Sequence, residues 1–344
     1  MDKEITIYDI AKDLGISPTT VSRALNHHPT VNEKTKKRIF DTAEAMGYRS
    51  NIFASNLRRK RTNNIGVIVP RLNSPFHSSV IAGMEKVANE AGFNLVISQS
   101  LESLDKEITN ARMMFNSRVD GLLVSLVNDP ANIDHFKPFI KKGIPLLFFD
   151  RVSNDSSCTG VIIDNVQAAY NATQHLISEG CKNIVHVLGN TIINVYSNRL
   201  KGYRYALMDH GFPYLPDNVI QSNLHEEDGL AIVQKILKMK DPPDGLFVSN
   251  DTCAASCIKA LKEAGWRIPE DIAVVGFNND NLSRLIEPNL TTVNYPGFEM
   301  GEIAMNNLVH HLEGLMGKVL QNTNTITLRS ELIIRASSLK SQKK

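Results

Sequence analysis

One stretch decides how the first part of this chain folds: TIYDIAKDLGISPTTVSRALN, which runs from Thr6 to Asn26. Its apolar residues recur at helical spacing in two runs, and Gly15 separates the runs. Thr6 and Ser17 are residue types that cap helices, and Pro18 would occupy a first helical position, where its missing N–H costs nothing. The stretch therefore predicts two short helices joined by a glycine-containing turn, which is the helix-turn-helix arrangement.

A third helix and a linker are predicted to follow. The helix begins near Asn32, carries apolar residues at helical spacing and stops at Gly47. The segment from Ser50 to Arg61 ends in four consecutive basic residues and is too short to form a stable helix alone. We therefore expect a DNA-binding type of head over residues 1–49, a hinge over 50–62, and a body over 63–340.

The body shows a different pattern from Asn64 onward. Short apolar strands alternate with helices, first over residues 65–150 and again over residues 161–277. Such alternation predicts parallel sheets with right-handed crossovers, and two similar runs predict two doubly wound lobes. The predicted fold class is α/β, with an all-α helix-turn-helix head and a two-lobed body of two parallel sheets. Because ligands bind at the carboxyl ends of such strands, we expect a site in a cleft between the lobes.

Charge is distributed unevenly along the 344 residues. Residues 1–61 contain 12 Lys and Arg against 7 Asp and Glu, whereas the remainder contains 26 against 29. A basic head on a slightly acidic body indicates that only the head meets a polyanion. The N-terminus does not resemble a signal peptide, and no apolar run is long enough to cross a membrane. We therefore expect a cytoplasmic protein with no membrane partner.

Motifs for catalysis and metal binding are missing from the sequence. It contains no G-x-S-x-G, no H-E-x-x-H and no phosphate-binding G-x-x-x-x-G-K-[ST]. No zinc-site spacing joins the cysteines, which we interpret as ordinary reduced thiols: Cys158, Cys181, Cys253 and Cys257. The sequence therefore predicts a protein that is not an enzyme and that needs no cofactor or metal.

Several stretches, taken together, resemble the LacI/GalR family of bacterial transcription regulators. In the head they are the stretch from Thr6 to Asn26 and the dipeptide Gly47-Tyr48, and in the hinge they are the pattern Asn51-x-x-Ala54-x-x-Leu57. In the body they include IGVIVP at 65–70, FDR at 149–151, IPEDIAVVGF at 268–277 and PNLTTV at 288–293. The resemblance covers nearly the whole chain. It implies a homodimeric repressor of double-stranded operator DNA, controlled by a small effector that binds in a body with the fold of periplasmic sugar-binding proteins.

The resemblance also implies that the chain crosses between the lobes three times, near Asp164, Leu290 and Thr323. The N-lobe would then comprise residues 63–162 and 291–322, and the C-lobe residues 163–290 and 323–340. The helix from Ser79 to Ala91 would contribute to the dimer surface, and no leucine heptad for a tetramerising helix follows at the end of the sequence.

DNA-contacting residues are carried over from the family motif. Arg23 is the main candidate for reading a base, because a guanidinium bonds guanine O6 and N7 together. Thr19 is a second reader, while Pro18 has no donor and suits only an apolar contact such as a thymine methyl. Leu57 would wedge into the minor groove. The remaining matches position the head on DNA: in the hinge Asn51 and Ala54, and in the head Tyr8, Ser17, Thr20, Ser22, Asn26 and Tyr48. For Tyr48, a buried role in the head is equally open.

Effector-binding residues follow from the same resemblance. The candidates are Phe76, Asp150, Arg151, Arg199, Leu224, Asn250 and Asn278. Carboxylate, amide and guanidinium groups suit a polyhydroxylated ligand, and an aromatic ring can cover an apolar sugar face. A structural role at the end of a strand or between the lobes stays open for Asp150 and is the favoured interpretation of Asp251. Many relatives carry an aspartate where this chain has Asn278, so the ligand of close relatives should not be assumed. A sugar is the first choice of ligand and a purine the second, because an amide can also bond the edge of a nucleobase.

Two other classes of protein fit the sequence less well than a regulator does. An extracytoplasmic solute-binding protein would share the fold of the body, but it would need a signal peptide and would not need the head. A metabolic enzyme on an α/β scaffold would need a constellation of catalytic residues. Within the family, an effector other than a sugar, namely a purine or a partner protein, stays open.

Overall fold

The computed structural model describes residues 5–48, 61–127, 133–153, 159–314 and 325–340. The chain divides into two compact units, Met1–Thr62 and Asn63–Lys344. The hinge candidates Asn51, Ala54 and Leu57 lie outside the described residues, as does Cys158.

The head contains the three predicted helices, α1 (Ile7–Leu14), α2 (Pro18–Leu25) and α3 (Glu33–Ala45). Local signals fix their ends. The Asp9 carboxylate accepts hydrogen bonds from the backbone N and Oγ1 of Thr6, and Gly15 ends α1 with a left-handed φ of 64°. Fully buried apolar side chains, among them Val21 and Ile39, form the head's own core. The helix-turn-helix prediction is confirmed.

The N-lobe is built on a six-stranded, wholly parallel sheet. Its strands and helices are β1 (Asn64–Val69), α4 (Pro75–Glu90), β2 (Asn94–Gln99), α5 (Leu104–Asn116), β3 (Gly121–Val124), a 3-10 turn (Asp134–Phe136), α6 (Lys137–Lys141), β4 (Leu146–Phe149), β5 (Thr159–Ile163), α11 (Gly297–Leu312) and β11 (Thr325–Leu328). The order of the strands in the sheet is β11-β5-β4-β3-β1-β2. Strands β3 and β4 are buried along their whole length, which explains why their sequences are continuous apolar runs.

The C-lobe repeats this architecture with one antiparallel strand at its edge. Its elements, with the strand order β12-β10-β9-β8-β6-β7, are α7 (Asn165–Ser178), β6 (Ile184–Leu188), α8 (Asn194–Asp209), a 3-10 turn (Pro216–Asn218), β7 (Val219–Gln221), α9 (Asp228–Ile236), β8 (Gly245–Val248), α10 (Asp251–Glu263), β9 (Ala273–Asn278), a 3-10 turn (Asn281–Arg284), β10 (Thr291–Asn294) and β12 (Glu331–Ile333). Strand β12 runs antiparallel to β10. The α/β fold class with two parallel-dominated sheets is confirmed.

The chain crosses between the lobes three times, and two of the crossings differ from the expected positions. The first follows β5, close to Asp164. The second lies beyond Asn294 rather than near Leu290, because β10 pairs with β9 in the C-lobe sheet. The third lies beyond Leu328 rather than near Thr323, because β11 pairs with β5 in the N-lobe sheet. Each of these strands is only four residues long, and the sheet that it joins is decided by pairing with a distant strand, which the local sequence does not encode.

Glycine allows close helix packing in both lobes. A Cβ atom added at Gly301 of α11 would lie 2.0 Å from the carbonyl oxygen of Val80 in α4. In the C-lobe, a Cβ added at Gly202 of α8 would lie 2.1 Å from the carbonyl oxygen of Val166 in α7. A side chain at either glycine would therefore clash with the backbone of the neighbouring helix, so each helix pair packs at backbone contact. Among the described residues, no helix combines the length and apolarity of a bilayer span.

Candidate functional site

The outer face of α2 presents the side chains that were predicted to read DNA. Thr19, Arg23 and Asn26 are exposed, while Val21 and Ala24 on the opposite face are buried in the head core. The Arg23 guanidinium makes no hydrogen bond or ion pair within the described part of the chain. Its five donors are therefore available to a partner.

Several hydroxyl and amide groups on this face already serve the helix. Ser17 Oγ accepts a hydrogen bond from the backbone N of Thr20 at 3.1 Å and lies 2.8 Å from Thr20 Oγ1. The amide of Asn26 donates to the carbonyl oxygen of Ser22 at 2.7 Å. The N-cap role of Ser17 orients the first turn of α2, so these groups shape the helix end as well as facing outward.

The two tyrosines of the head differ in exposure. Tyr8, at the start of α1, is 68 % exposed. Tyr48 is half-buried and packs against the head core, as does the neighbouring Met46. Packing is thus established for Tyr48, and its contact with DNA stays a prediction.

A cavity of about 420 Å³ lies between the N-lobe and the C-lobe of the body. The N-lobe contributes side chains from the start of α4 and the end of β4, and the C-lobe contributes side chains from α8 and from the carboxyl ends of β8 and β9. All seven predicted effector residues line this cavity: Phe76, Asp150, Arg151, Arg199, Leu224, Asn250 and Asn278. That they contact an effector stays a prediction.

The Asp150 carboxylate is committed to protein partners. Tyr295 donates its hydroxyl to Oδ1 at 2.7 Å, Ser125 donates to Oδ2 at 3.2 Å, and His77 Nε2 lies 3.5 Å from Oδ2. Burial would raise the pKa of Asp150, but the adjacent His77 and Arg151 outweigh it and hold that pKa below its usual value. Asp150 therefore remains an ion that orients its neighbours, as the structural alternative for this residue expected.

Arg151 is also occupied by a partner. Its guanidinium donates to both Glu102 carboxylate oxygens, at 2.7 and 3.2 Å. It lies 5.8 Å from the ring centroid of Tyr196, which comes from the opposite lobe. Burial raises the pKa of Glu102, yet the charges of Arg151 and Arg71 overcome this and lower it below the ordinary value. The bidentate pair thus places a fixed cation on the N-lobe wall of the cavity.

Arg199 is the buried cation of the C-lobe wall, and its partners are neutral. Its Nε donates to Asn165 Oδ1 and its Nη1 to the carbonyl oxygen of Ser249, both at 2.9 Å. The guanidinium stacks 3.5 Å from the ring centroid of Phe277. Burial lowers the pKa of Arg199. The second terminal nitrogen, Nη2, makes no hydrogen bond within the described residues, so it is free to donate to a ligand.

The amides of the C-lobe wall carry mixed duties. Asn250 caps α10 by accepting from the backbone N of Cys253, and it donates to the carbonyl oxygen of Leu224, in both cases at 2.8 Å. Asn278 bonds to Asp280, whose pKa burial raises to about 6 despite that bond. The wall therefore carries an amide at Asn278 and a carboxyl group two residues later, at Asp280.

Sequence reasoning did not identify several residues of the cavity. Tyr295 stacks on Phe76 with ring centroids 4.3 Å apart and forms part of the aromatic floor. Tyr196, Glu102 and His77 also line the cavity. No local signal marks these positions, since their partners are far away in the sequence.

Asp251 lies behind the cavity wall and is fully buried. Thr292 Oγ1 donates to its Oδ1 at 2.6 Å, and the backbone N of Asp280 donates to its Oδ2 at 2.8 Å. It connects the end of β9 to β10, which agrees with the structural role favoured for it. Burial raises the pKa of Asp251 to about 7.

We expect this burial to make the body less stable as pH rises. The folded state holds the Asp251 proton up to a pH of about 7, whereas the unfolded state releases it near the ordinary aspartate pKa of 3.8. The free energy of unfolding should therefore fall between these two values, by a few kcal/mol at most. Asp251→Asn keeps an acceptor and cannot ionise. In urea titrations at several values from pH 5 to 8, its free energy of unfolding should therefore fall less steeply with pH than that of the wild type. An equal slope in the two proteins would contradict the raised pKa.

Comparisons with known proteins agree with this architecture. The family model described as bacterial regulatory proteins, lacI family, matches residues 6–51, and the model described as a periplasmic binding protein-like domain matches residues 173–338. The chain is 31 % identical to catabolite control protein A of Priestia megaterium over 328 residues, which cover 94 % of this chain and 98 % of that protein. No group of three or more potential metal ligands occurs among the residues that the structure describes.

Two solved structures share the fold. The lac repressor dimer bound to operator and an anti-inducer superposes with a TM-score of 0.87 at 24 % identity, covering 98 % of this chain and 100 % of that one. The complex of the transcriptional regulator CelR with cellobiose gives a TM-score of 0.72 at 25 % identity, covering 97 % of this chain and 100 % of that one. With the helix-turn-helix head, the two-lobed body and an end-to-end match to a regulator, this chain belongs to the LacI family of bacterial transcription regulators.

Proposed function

We propose that this LacI-family regulator is a repressor that binds an approximately palindromic operator as a homodimer, and that a neutral sugar in the inter-lobe cavity changes its affinity for that operator. A two-fold symmetric dimer presents two recognition helices, so each head would take one half-site. The protein would act in the cytoplasm, where the chromosome is accessible to it.

The observation that carries the DNA-binding half of the proposal is the exposed face of α2. Thr19, Arg23 and Asn26 project from a helix whose opposite face is buried, and the Arg23 guanidinium is not used within the described part of the chain. A short helix with this pattern fits the major groove of B-DNA, where arginine reads guanine.

The cavity supports a sugar effector. Its volume of about 420 Å³ accommodates a mono- or disaccharide, and its walls combine an aromatic floor with hydrogen-bonding side chains from both lobes. The related regulator CelR has been solved with cellobiose. A purine is the second candidate, because the stacked rings of Phe76 and Tyr295 offer a flat surface that suits a planar base as well.

The operator proposal is tested by selecting binding sites from random double-stranded DNA and comparing three duplexes by gel shift: the selected site, the same site with one half scrambled, and a fully scrambled duplex. We expect a two-fold symmetric consensus, with affinity for the half-scrambled duplex lowered at least about 100-fold. Sedimentation should give a dimer. Equal affinity for all three duplexes would contradict the proposal. A protein that sediments as a monomer and binds the intact selected site with full affinity would contradict it as well.

A further inference from the structure

Buried polar atoms without hydrogen bonds are concentrated in the inter-lobe cavity. Among the described residues, three such atoms of cavity-lining side chains are Nδ1 of His77, Nε2 of His225 and Oγ of Ser249. The other ring nitrogen of His77, Nε2, faces the Asp150 carboxylate at 3.5 Å. Buried polar groups in folded proteins are almost always paired, so unpaired atoms at a ligand-sized cavity point to groups that a ligand supplies.

His77 and Ser249 come from opposite lobes. His77 lies in the first turn of α4 and is 5 % exposed, and its ring packs edge-on against Phe76 with centroids 5.3 Å apart. Ser249 follows β8 and is 1 % exposed. Its carbonyl oxygen accepts from Arg199 Nη1, which fixes the backbone beside the unpaired hydroxyl. Both side chains are thus held in place by the protein, while His77 Nδ1 and Ser249 Oγ have no hydrogen-bond partner among the described residues.

The neighbouring charges restrict what these atoms can bind. Glu102 neutralises the charge of Arg151, and the carboxylate oxygens of Asp150 accept hydrogen bonds from Tyr295 and Ser125. Glu226 and Glu227 add carboxylates to the C-lobe wall. Arg199 has only neutral partners, so the lining offers one unneutralised guanidinium against the carboxylates of Glu226 and Glu227. A neutral hydroxyl group, which both donates and accepts, fits this mixture of charges better than an anionic group.

We propose that His77 and Ser249 are specificity-determining residues of the effector cavity, each bonding a hydroxyl group of a neutral sugar from its own lobe. This inference rests on the proposed sugar effector. Asp150, which the sequence placed among the ligand contacts, then acts as a positioning residue for His77 and Tyr295. Because the two contacts belong to different lobes, the full set forms only when both lobes engage the same sugar.

The test is calorimetry with a panel of neutral sugars (D-ribose, D-xylose, D-glucose, D-galactose and cellobiose) on the wild type and on three variants. Ser249→Ala and His77→Leu should each weaken the preferred sugar about tenfold or more, and should reduce the ratio between its affinity and that of its poorest-binding epimer. His77→Gln, which keeps a hydrogen-bonding group, should retain more of that ratio than His77→Leu. A merely structural role would weaken every sugar by the same factor.

The matched control is Ser98→Ala. The Ser98 hydroxyl also lacks a partner, but it lies on β2 away from the cavity, so sugar affinity should not change. If a sugar binds but Ser249→Ala and His77→Leu leave the affinity ratio intact, the inference is overturned while the sugar effector stands. If no sugar of the panel binds, or if a phosphorylated sugar or a nucleobase binds more tightly, the proposed sugar effector is overturned and the inference with it. If the wild type failed to bind any selected operator, the DNA-binding half of the proposed function would be overturned instead, since that measurement needs no sugar.

Discussion

Replacing Arg23 by alanine is expected to lower the affinity for the selected operator by about 1–3 kcal/mol while leaving the affinity for random DNA nearly unchanged. The Arg23 side chain is exposed on α2 and has no partner within the described residues, so the substitution should leave the fold of the head intact. The loss should appear at one base pair of each half-site, because a bidentate contact discriminates a single guanine. Fluorescence anisotropy with single-base variants of the operator measures this.

Lys12→Ala provides the control for charge. Lys12 is exposed in the last turn of α1, and its removal takes away one positive charge from a different helix. This variant should weaken operator and random DNA by the same factor and should reduce the salt dependence of binding. If Arg23→Ala behaved in the same way as Lys12→Ala, Arg23 would be a phosphate contact and its assignment as a base reader would be wrong.

The head was predictable almost residue by residue because its signals are local. Thr6, Ser17 and Asn32 each cap a helix within three residues, and Gly15 ends α1 in the left-handed conformation that favours glycine. The apolar spacing then determines which face is buried. In such a short bundle, the sequence and the structure describe the same few contacts.

The body was predictable in class and less so in its details. Apolar runs such as those of β3 and β4 identified the central strands. Strands β10 and β11 are only four residues long, and pairing with a distant strand decided the lobe of each. Edge and crossing strands of this kind gain their stability from the sheet that they join rather than from their own propensity. That is why two of the three crossings were displaced.

The cavity shows the same division between local and long-range information. The family resemblance located all seven candidates at one cavity, but it did not reveal how their polar atoms are used. Tyr295 reaches Asp150 across 145 residues of sequence, and Glu102 reaches Arg151 across 49. These contacts depend on the three crossings of the chain, and no periodicity in the sequence encodes them.

Residues beside two of the crossings bond to charged groups of the cavity. Asn165 follows the first crossing and Tyr295 follows the end of β10 at the second. Asn165 accepts from Arg199 of the C-lobe, and Tyr295 donates to Asp150 of the N-lobe. The Tyr295 bond joins the two lobes, whereas the Asn165 bond orients Arg199 within the C-lobe wall.

The ion pair between Glu102 and Arg151 leads to the largest expected effect on stability. Glu102→Gln leaves the Arg151 guanidinium, which is only 8 % exposed, without its charged partner. Removing one partner of a fully buried pair costs about 3–5 kcal/mol, but Glu102 is 29 % exposed and solvent screens part of the interaction, so we expect a loss of about 2 kcal/mol in the free energy of unfolding. Urea denaturation followed by circular dichroism at neutral pH measures the loss.

The double variant Glu102→Gln with Arg151→Met distinguishes an unpaired charge from a loss of packing. Removing both charges should recover most of the stability, because the cost lies in the buried cation rather than in the absent bond. Acidification gives a second check. The net effect of Arg151 and Arg71 lowers the pKa of Glu102, so the pair stabilises the fold above the ordinary pKa of a glutamate and loses that contribution as pH falls through the lowered value. The difference between wild type and Glu102→Gln should therefore shrink in acid. A double variant no more stable than Glu102→Gln, or a difference that grows on acidification, would show that Arg151 is held by its packing against Tyr196 and not by Glu102.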